Sequence, residues 1–503
     1  MLQREMSLAR LHEKTAHMPP KGRSYWRQAL TNSQKIIPIL LAGGAGSRLW
    51  PVSRDDLPKQ FQPLTGEFSS YQETLRRVGN PKVYDAPIVI TNDAFRFFSR
   101  RQAEAAGHPA TVVLEPARRD SAAAVAVAAV MAERRSAGSL VLALAADHMV
   151  LDDDLFTKSV ELGAEAAGDG KIVVFGLKPT EPRTSYGYIR PGAAINGNPD
   201  LALVDAFVEK PNAETALDYL RKGYLWNSGN FLFRSDVMIA EFRKYAPAIL
   251  EAAEEAVAKA THDLGFVRLD QESFERSPKN SIDYAVIEKT KEMAVVTGHF
   301  RWSDVGSWDA IWEVLERDDK DNVIYGDGMT LNSSGCLIHS EGIYTTLVGV
   351  EDLIAVSTRD AVMVVPKNKV QDVKKLVDEM KSRSIPQADG HRRSHRPWGT
   401  VDSVVDGARY AVKHITVDCG GVLSLQKHMH RAEHWVVVSG TATITIGDHT
   451  RLVTENESVY VPVGVVHRIA NEGRVPLELI EVRTGSYIAE DDIQRIEDIY
   501  ARV

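Results

Sequence analysis

The residues best suited to chemistry in this 503-residue sequence fall in two places. Near the N-terminus an apolar run ends in Leu41, Ala42, Gly43, Gly44, Ala45, Gly46, Ser47, Arg48, Leu49 and continues to Pro58, Lys59, Gln60, Phe61. Glycines that follow a strand let main-chain N–H groups approach a polyphosphate closely, and Arg48 and Lys59 add positive charge against it. The run lacks the GK[ST] of a P-loop and the third glycine of a dinucleotide fingerprint. Near the C-terminus stand Gln426, Lys427, His428, Met429, His430, Arg431, Ala432, Glu433, His434, Trp435. Strand alternation puts His428 and His430 on one face, where two imidazoles can meet one metal ion.

The elements that must position these groups can be read from periodicity. From Ile36 to about Arg317, IIPILLA, APIVIT, ATVVLE, SLVLALAAD and KIVVFGL read as strands separated by helical stretches such as Tyr71 to Arg77. Strands spaced by helices predict a Rossmann-like α/β domain with a mostly parallel sheet, whose ligands belong at the carboxyl ends of the strands. From about Asp321 the pattern becomes short β-rich runs, GCLIHS, YTTLVGV, LIAVST and AVMVVP, followed by a helix from Val370 to Arg383. The stretch SIPQADGHRRSHRPWG is polar and broken by Pro and Gly, as linkers are. Beyond it, RYAVKHITV, HWVVVSG, TATITIG, SVYVPVG and LELIEVRTG are closely spaced alternating strands that suit a small β-barrel. The expected division is a mobile extension over 1–35, an α/β domain over 36–320, a short β-helix-like extension with its helix over 321–385, a linker over 386–396 and a barrel over 397–503.

Several further pieces occur in order: EPARRDSA, AADH, TSYGYI, FVEKP, WNSGNF, SIDYAVIEK and WSDVGSW. Together with the glycine-rich run, they make the chain resemble the sugar-nucleotide pyrophosphorylases, specifically the bacterial mannose-1-phosphate guanylyltransferases, over most of its length. The resemblance implies transfer of GMP from GTP to mannose-1-phosphate, giving GDP-mannose and pyrophosphate. Because the attacking phosphate is already anionic, such a reaction needs alignment and charge neutralisation more than a base. Asp147, at the end of an apolar strand, is well placed to hold Mg²⁺, with Asp304 as the second ligand. Lys210 is expected on the sugar phosphate and Glu209 on sugar hydroxyls. The resemblance places Asn227 and Gly187 in the sugar pocket, and Glu115 and Arg118 through Ser121 at the base. Asp120 and Ala123 stand where asparagine and proline are frequent in the family.

The C-terminal strands resemble a cupin. Pro462-x-Gly464-x-x-His467-x-x-x-Asn471 matches the second cupin motif, and LSLQKHMHRAEHWVVVSGTA is similar to the C-terminal domain of the type II phosphomannose isomerases. The expected ligands are His428, His430, Glu433 and His467, with His434 as substitute because HxHxxE is one residue shorter than the common cupin spacing. Nitrogen and oxygen donors admit Zn²⁺, Co²⁺, Mn²⁺, Ni²⁺ or Fe²⁺. The resemblance implies interconversion of fructose-6-phosphate and mannose-6-phosphate, in which a metal and a cation, Arg431, assist a proton moving between C1 and C2. One alternative keeps the transferase and makes the cupin a metal-stabilised regulatory or binding module. Another, a non-catalytic sugar-nucleotide sensor, is opposed by the presence of Arg48, Lys59, Asp147 and Lys210.

Composition excludes other classes. A formal charge of −8, 44% hydrophobic and 25% charged residues describe an ordinary globular chain, without the basic stripe of a nucleic-acid binder. The Ala/Val run near Ala122 meets Glu133, Arg134 and Arg135 too soon to insert in a membrane. Two distant cysteines, Cys336 and Cys419, and the lack of a signal-peptide core suggest the cytoplasm. The sequence leaves a homo-oligomer open.

Overall fold

The computed structural model describes residues 35–44 and 46–500. The expected N-terminal extension, apart from Lys35, lies outside the described residues. The five apolar runs of the α/β region all form strands of one eleven-stranded sheet: Ile37–Ala42, Ile88–Asn92, Thr111–Glu115, Leu140–Ala145 and Ile172–Leu177. The first four lie side by side and parallel, with Ile37–Ala42 between Ile88–Asn92 and Leu140–Ala145. Chain order therefore reverses beside the first strand, which opens a crevice at the carboxyl ends of Ile37–Ala42 and Leu140–Ala145. The sheet as a whole is mixed rather than mostly parallel, because Leu225–Arg234 inserts antiparallel between Leu140–Ala145 and Ile172–Leu177. Between Ile172–Leu177 and that strand the chain forms a β-hairpin, Gly187–Ala194 with Leu201–Glu209, and then the short helix Ala213–Arg221.

Strand alternation fills both faces of the sheet. Ile37 and Ile39 pack with the helix Asp120–Arg135, while Leu40 and Ala42 face Tyr71 and Phe156 on the other side. The Ala/Val run is buried nearly all round, since Asp120–Arg135 is covered by the sheet and by the helices Ser235–Tyr245 and Pro247–Ala258.

The next strands, Val323–Tyr325, Leu337–Ser340 and Leu353–Ser357, stack in parallel with a second parallel pair, Gly328–Leu331 and Thr345–Val348. This is a short β-helix, closed by the amphipathic helix Val373–Ser382, whose Val373 and Val377 pack on Leu49, Trp50 and Val52. Residues 386–396 are not a free tether. Arg393–Arg396 pairs with Gly399–Asp406 as an edge strand of the barrel, and His391 reaches back to Asp56 and to the carbonyl of Val52. The C-terminal region is a two-sheet barrel of six and five strands whose core includes Trp398, Trp435 and Leu479. Among the described residues no helix is long and apolar enough to cross a membrane.

Candidate functional site

The loop after the first strand owes its shape to Gly46, whose φ of 61° is left-handed, and a Cβ there would come within 2.8 Å of Ser53 Oγ and 3.0 Å of Lys59 Cγ. Gly43 and Gly44 open onto a cavity of about 570 Å³, also lined by Leu41, Glu115, Arg118, Ser121 and Asp147. Ala42 accepts at its main-chain oxygen from Gln60 Nε2 (3.3 Å), so the second half of the motif holds the first. Ser47 and Arg48 occupy the short turn Ser47–Leu49, with Arg48 exposed above the loop.

Lys59 is buried, and its Nζ pairs with Asp147 Oδ2 at 3.0 Å and donates to the main-chain oxygen of Asp304 at 2.7 Å. Burial alone would raise the Asp147 carboxyl, but Lys59 and His148 outweigh it and hold it below the usual range. Asp304 Oδ1 accepts from Tyr186 Oη at 2.8 Å, a partner supplied by TSYGYI that spacing alone does not reveal. Val305 and Lys210 both take left-handed backbone, φ 43° and 50°, so the chain is strained where it presents Asp304 and the Glu209–Lys210 pair. One buried ammonium thus joins the Asp147 carboxylate to the Asp304 main chain, and the two aspartates offer oxygen donors of the kind a hard divalent cation takes.

Glu209 and Lys210 end the strand Leu201–Glu209 and pair at 2.9 Å. A Cβ at Gly187 would lie 2.6 Å from Glu209 Oε2 and 3.2 Å from Asn227 Cβ, so Gly187, Glu209 and Asn227 share one small pocket. Glu115 ends its own strand at the cavity, with Oε1 buried and lacking a hydrogen-bond partner among the described residues, and burial pushes its carboxyl up to about 7. Ser121 Oγ accepts from the main-chain N–H of Ile282 at 3.0 Å.

In the barrel, His428, Glu433 and His467 are buried and present ligand atoms within 4.8 Å of one another. His467 Nδ1 lies 2.9 Å from the carbonyl of Val465; a carbonyl only accepts, so Nδ1 carries the hydrogen and Nε2 keeps its lone pair. That Nε2 and Glu433 Oε2 have no hydrogen-bond partner among the described residues, as expected of atoms that bind a metal. Burial works against an ionised Glu433, yet His428, Arg483 and His467 hold it well below the ordinary carboxylate range.

His430 is a correction: it does not join His428. The strand Leu425–His428 stops there and the chain bends at Met429 and His430, so alternation no longer applies. The imidazole turns outward and its Nδ1 lies 2.9 Å from Asp492. His434 also faces away, against Tyr460, because it follows Glu433 on the alternating strand Arg431–Ser439. Arg431 shares the Glu433 face and is fully buried, with Nε 3.2 Å from Glu433 and Nη1 2.8 Å from the carbonyl of Ala489. Sequence reasoning missed Glu481 and Arg483, buried neighbours of the cluster on the strand Leu477–Gly485. Their inward alternation was the available signal.

The model of nucleotidyl transferases matches residues 37–321, more than half of the chain. A mannose-1-phosphate guanylyltransferase of Salmonella montevideo is 48% identical over 473 residues, 93% of this chain and 100% of that one. The chain belongs to the mannose-1-phosphate guanylyltransferase family. The xanthan biosynthesis protein XanB of Xanthomonas campestris pv. campestris (strain B100) is 46% identical over 93% of this chain and 99% of that one. The family's remaining parts follow in order, with a MannoseP isomerase/GMP-like beta-helix domain matching residues 319–380 and a mannose-6-phosphate isomerase C-terminal domain matching 383–498. A solved structure described as mannose-1-phosphate geranyltransferase from Thermus thermophilus superposes with a TM-score of 0.62 at 34% identity, over 69% of this chain and 99% of that one.

Proposed function

We propose that the chain transfers GMP from GTP to α-D-mannose-1-phosphate, giving GDP-mannose and pyrophosphate, and that its barrel interconverts fructose-6-phosphate and mannose-6-phosphate. The observation that carries the first activity is the junction made by Lys59: one buried ammonium ties Asp147 to the Asp304 main chain beside the glycine loop, in a crevice continuous with Glu115.

An oxygen of the sugar phosphate attacks the α-phosphorus of GTP as the bond to the pyrophosphate oxygen breaks. The loop N–H groups of Gly43 and Gly44, with Arg48, face the triphosphate, and Lys59 holds the loop against the aspartates. Glu115, Arg118 and Ser121, which line the same cavity, would read the guanine. Glu209, Asn227 and Gly187 shape the sugar pocket, and Lys210 meets the sugar phosphate. Asp147 and Asp304 would hold Mg²⁺, which when bound neutralises the charge that gathers on the phosphates.

In the barrel His428, Glu433 and His467 would hold a divalent transition ion such as Zn²⁺, Co²⁺, Mn²⁺, Ni²⁺ or Fe²⁺, which supplies polarisation of the substrate carbonyl. Arg431, anchored on Glu433 and Ala489, keeps a fixed positive charge beside it. Pure protein is incubated with fructose-6-phosphate alone, then with mannose-1-phosphate and GTP, each with and without chelator. Both conversions are expected and both stop with chelator. Transfer without any isomerisation would instead make the barrel a metal-stabilised binding module.

A further inference from the structure

None of the groups assigned above comes from SIDYAVIEK, yet its first turn, Asp283–Ile287, forms part of the wall between the nucleotide cavity and the sugar pocket. Ser281, Ile282 and Asp283 line the cavity that also holds Gly43, Glu115 and Asp147. On the other side Asn227 Nδ2 lies 3.4 Å from Asp283 Oδ1, while Asn227 Oδ1 accepts from the Gly229 main chain at 3.1 Å. The amide is thus fixed in orientation and turns its donor toward the carboxylate. Asp283 and Glu209 thereby bracket the glycine-floored space beside Gly187.

The two carboxylates are neutralised unequally. Glu209 pairs with Lys210 at 2.9 Å, whereas no cation lies within ion-pair distance of Asp283 among the described residues. Burial first, and then the charge of Glu209, raise the Asp283 carboxyl to about 6. The half-buried carboxylate faces the cavity with hydrogen bonds from Asn227, the Ser281 side chain and its own main-chain N–H, which leave acceptor capacity on its two oxygens. Phosphate oxygens would be repelled by it, and a ligand hydroxyl would complete it.

We infer that Asp283 is a sugar-recognition residue, accepting a hydrogen bond from a ring hydroxyl of the hexose 1-phosphate held between Glu209 and Asn227. This rests on the guanylyltransferase reading of the same site. The hexose is selected by hydroxyl geometry on two sides of Gly187, while Lys210 handles its phosphate.

The test measures initial rates of the full chain with GTP and mannose-1-phosphate or its 2-, 3- and 4-deoxy analogues, in wild type, Asp283→Ala and Asp283→Asn. Loss of a hydrogen bond to a charged acceptor corresponds to a rise of about 10- to 100-fold in the KM for mannose-1-phosphate. The KM for GTP is expected to stay within about twofold. With one deoxy analogue the substitution should cost at least about fivefold less, because the hydroxyl it served is already gone. Asp283→Asn keeps the size of the side chain and carries the same comparison if Asp283→Ala does not fold. Equal losses with mannose-1-phosphate and every analogue, or matched rises in both KM values, would overturn the inference. Wild-type protein inert toward mannose-1-phosphate and GTP would overturn the guanylyltransferase reading and this inference with it.

Discussion

At Lys59 a single ammonium group meets two demands, an ion pair with Asp147 Oδ2 and a hydrogen bond to the carbonyl of Asp304. Asp147→Asn removes the charge on which a cation and Lys59 both depend, so GDP-mannose formation should fall by at least about a hundredfold while the barrel keeps its chemistry. Near-normal transfer by a folded Asp147→Asn protein would contradict that role. Glu115 gives a pH signature. Its carboxyl is raised to about 7 by burial, and guanine N–H donors need the ionised form, which fills in as pH rises through that value. Guanine binding should therefore weaken about tenfold from pH 8 to pH 6, and the KM for GTP in Glu115→Gln should lack that part of the pH dependence. Parallel pH profiles in the two proteins would remove Glu115 from base recognition. Much of this site was legible in the sequence because its groups sit at strand ends, where a polar residue after an apolar run stands out. His430 misled because alternation holds only while a strand continues, and this one ends at His428.

Between elements, the segment from Trp50 to Asp56 is wired to distant parts of the chain. Arg54 is fully buried and forks onto Asp360, with both contacts at 2.7 Å, and donates to the carbonyls of Pro51 and Gly390. Trp50 Nε1 donates to the carbonyl of Gln387 at 2.8 Å. The β-helix, through Asp360, and the segment 386–396, through Gln387 and Gly390, thus brace the loop that delivers Lys59. Removing one member of a buried ion pair costs about 3–5 kcal/mol, so Asp360→Ala should lower the unfolding temperature and raise the KM for GTP through the slackened loop. Calorimetry and steady-state kinetics check this; an unchanged KM alongside a lowered unfolding temperature would make the brace purely structural. The individual strands of the β-helix were readable from their apolar runs. The Arg54–Asp360 pair was not, because it joins positions 306 residues apart and leaves no local periodicity.

Across the whole molecule, the barrel rests on the transferase through Arg101, which pairs with Asp418 at 2.8 Å and donates to the carbonyl of Arg396 at 3.1 Å. Phe98 lies against His395 with ring centroids 4.8 Å apart. Composition marked residues 386–396 as a tether because polar, Pro/Gly-broken sequence looks alike whether docked or free. The His428, Glu433 and His467 cluster proposed to hold the metal lies within the barrel, so His428→Ala or His467→Ala should remove metal and isomerisation yet leave guanylyl transfer within about twofold. Metal analysis beside both assays separates the cases, and retained metal would refute the ligand set. A chain ending at residue 380 lacks the Gln387, Gly390 and His391 contacts to the loop and should transfer more slowly than either histidine variant. The most direct test of the central claim follows the radiolabel of GTP carrying ³²P at its α-phosphorus, in the presence and absence of mannose-1-phosphate. Guanylyl transfer at the Asp147 crevice predicts label in GDP-mannose only when the sugar phosphate is present, one pyrophosphate released per product, and neither in Asp147→Asn. Label appearing only as free GMP or GDP, or reaching GDP-mannose undiminished in Asp147→Asn, would contradict it.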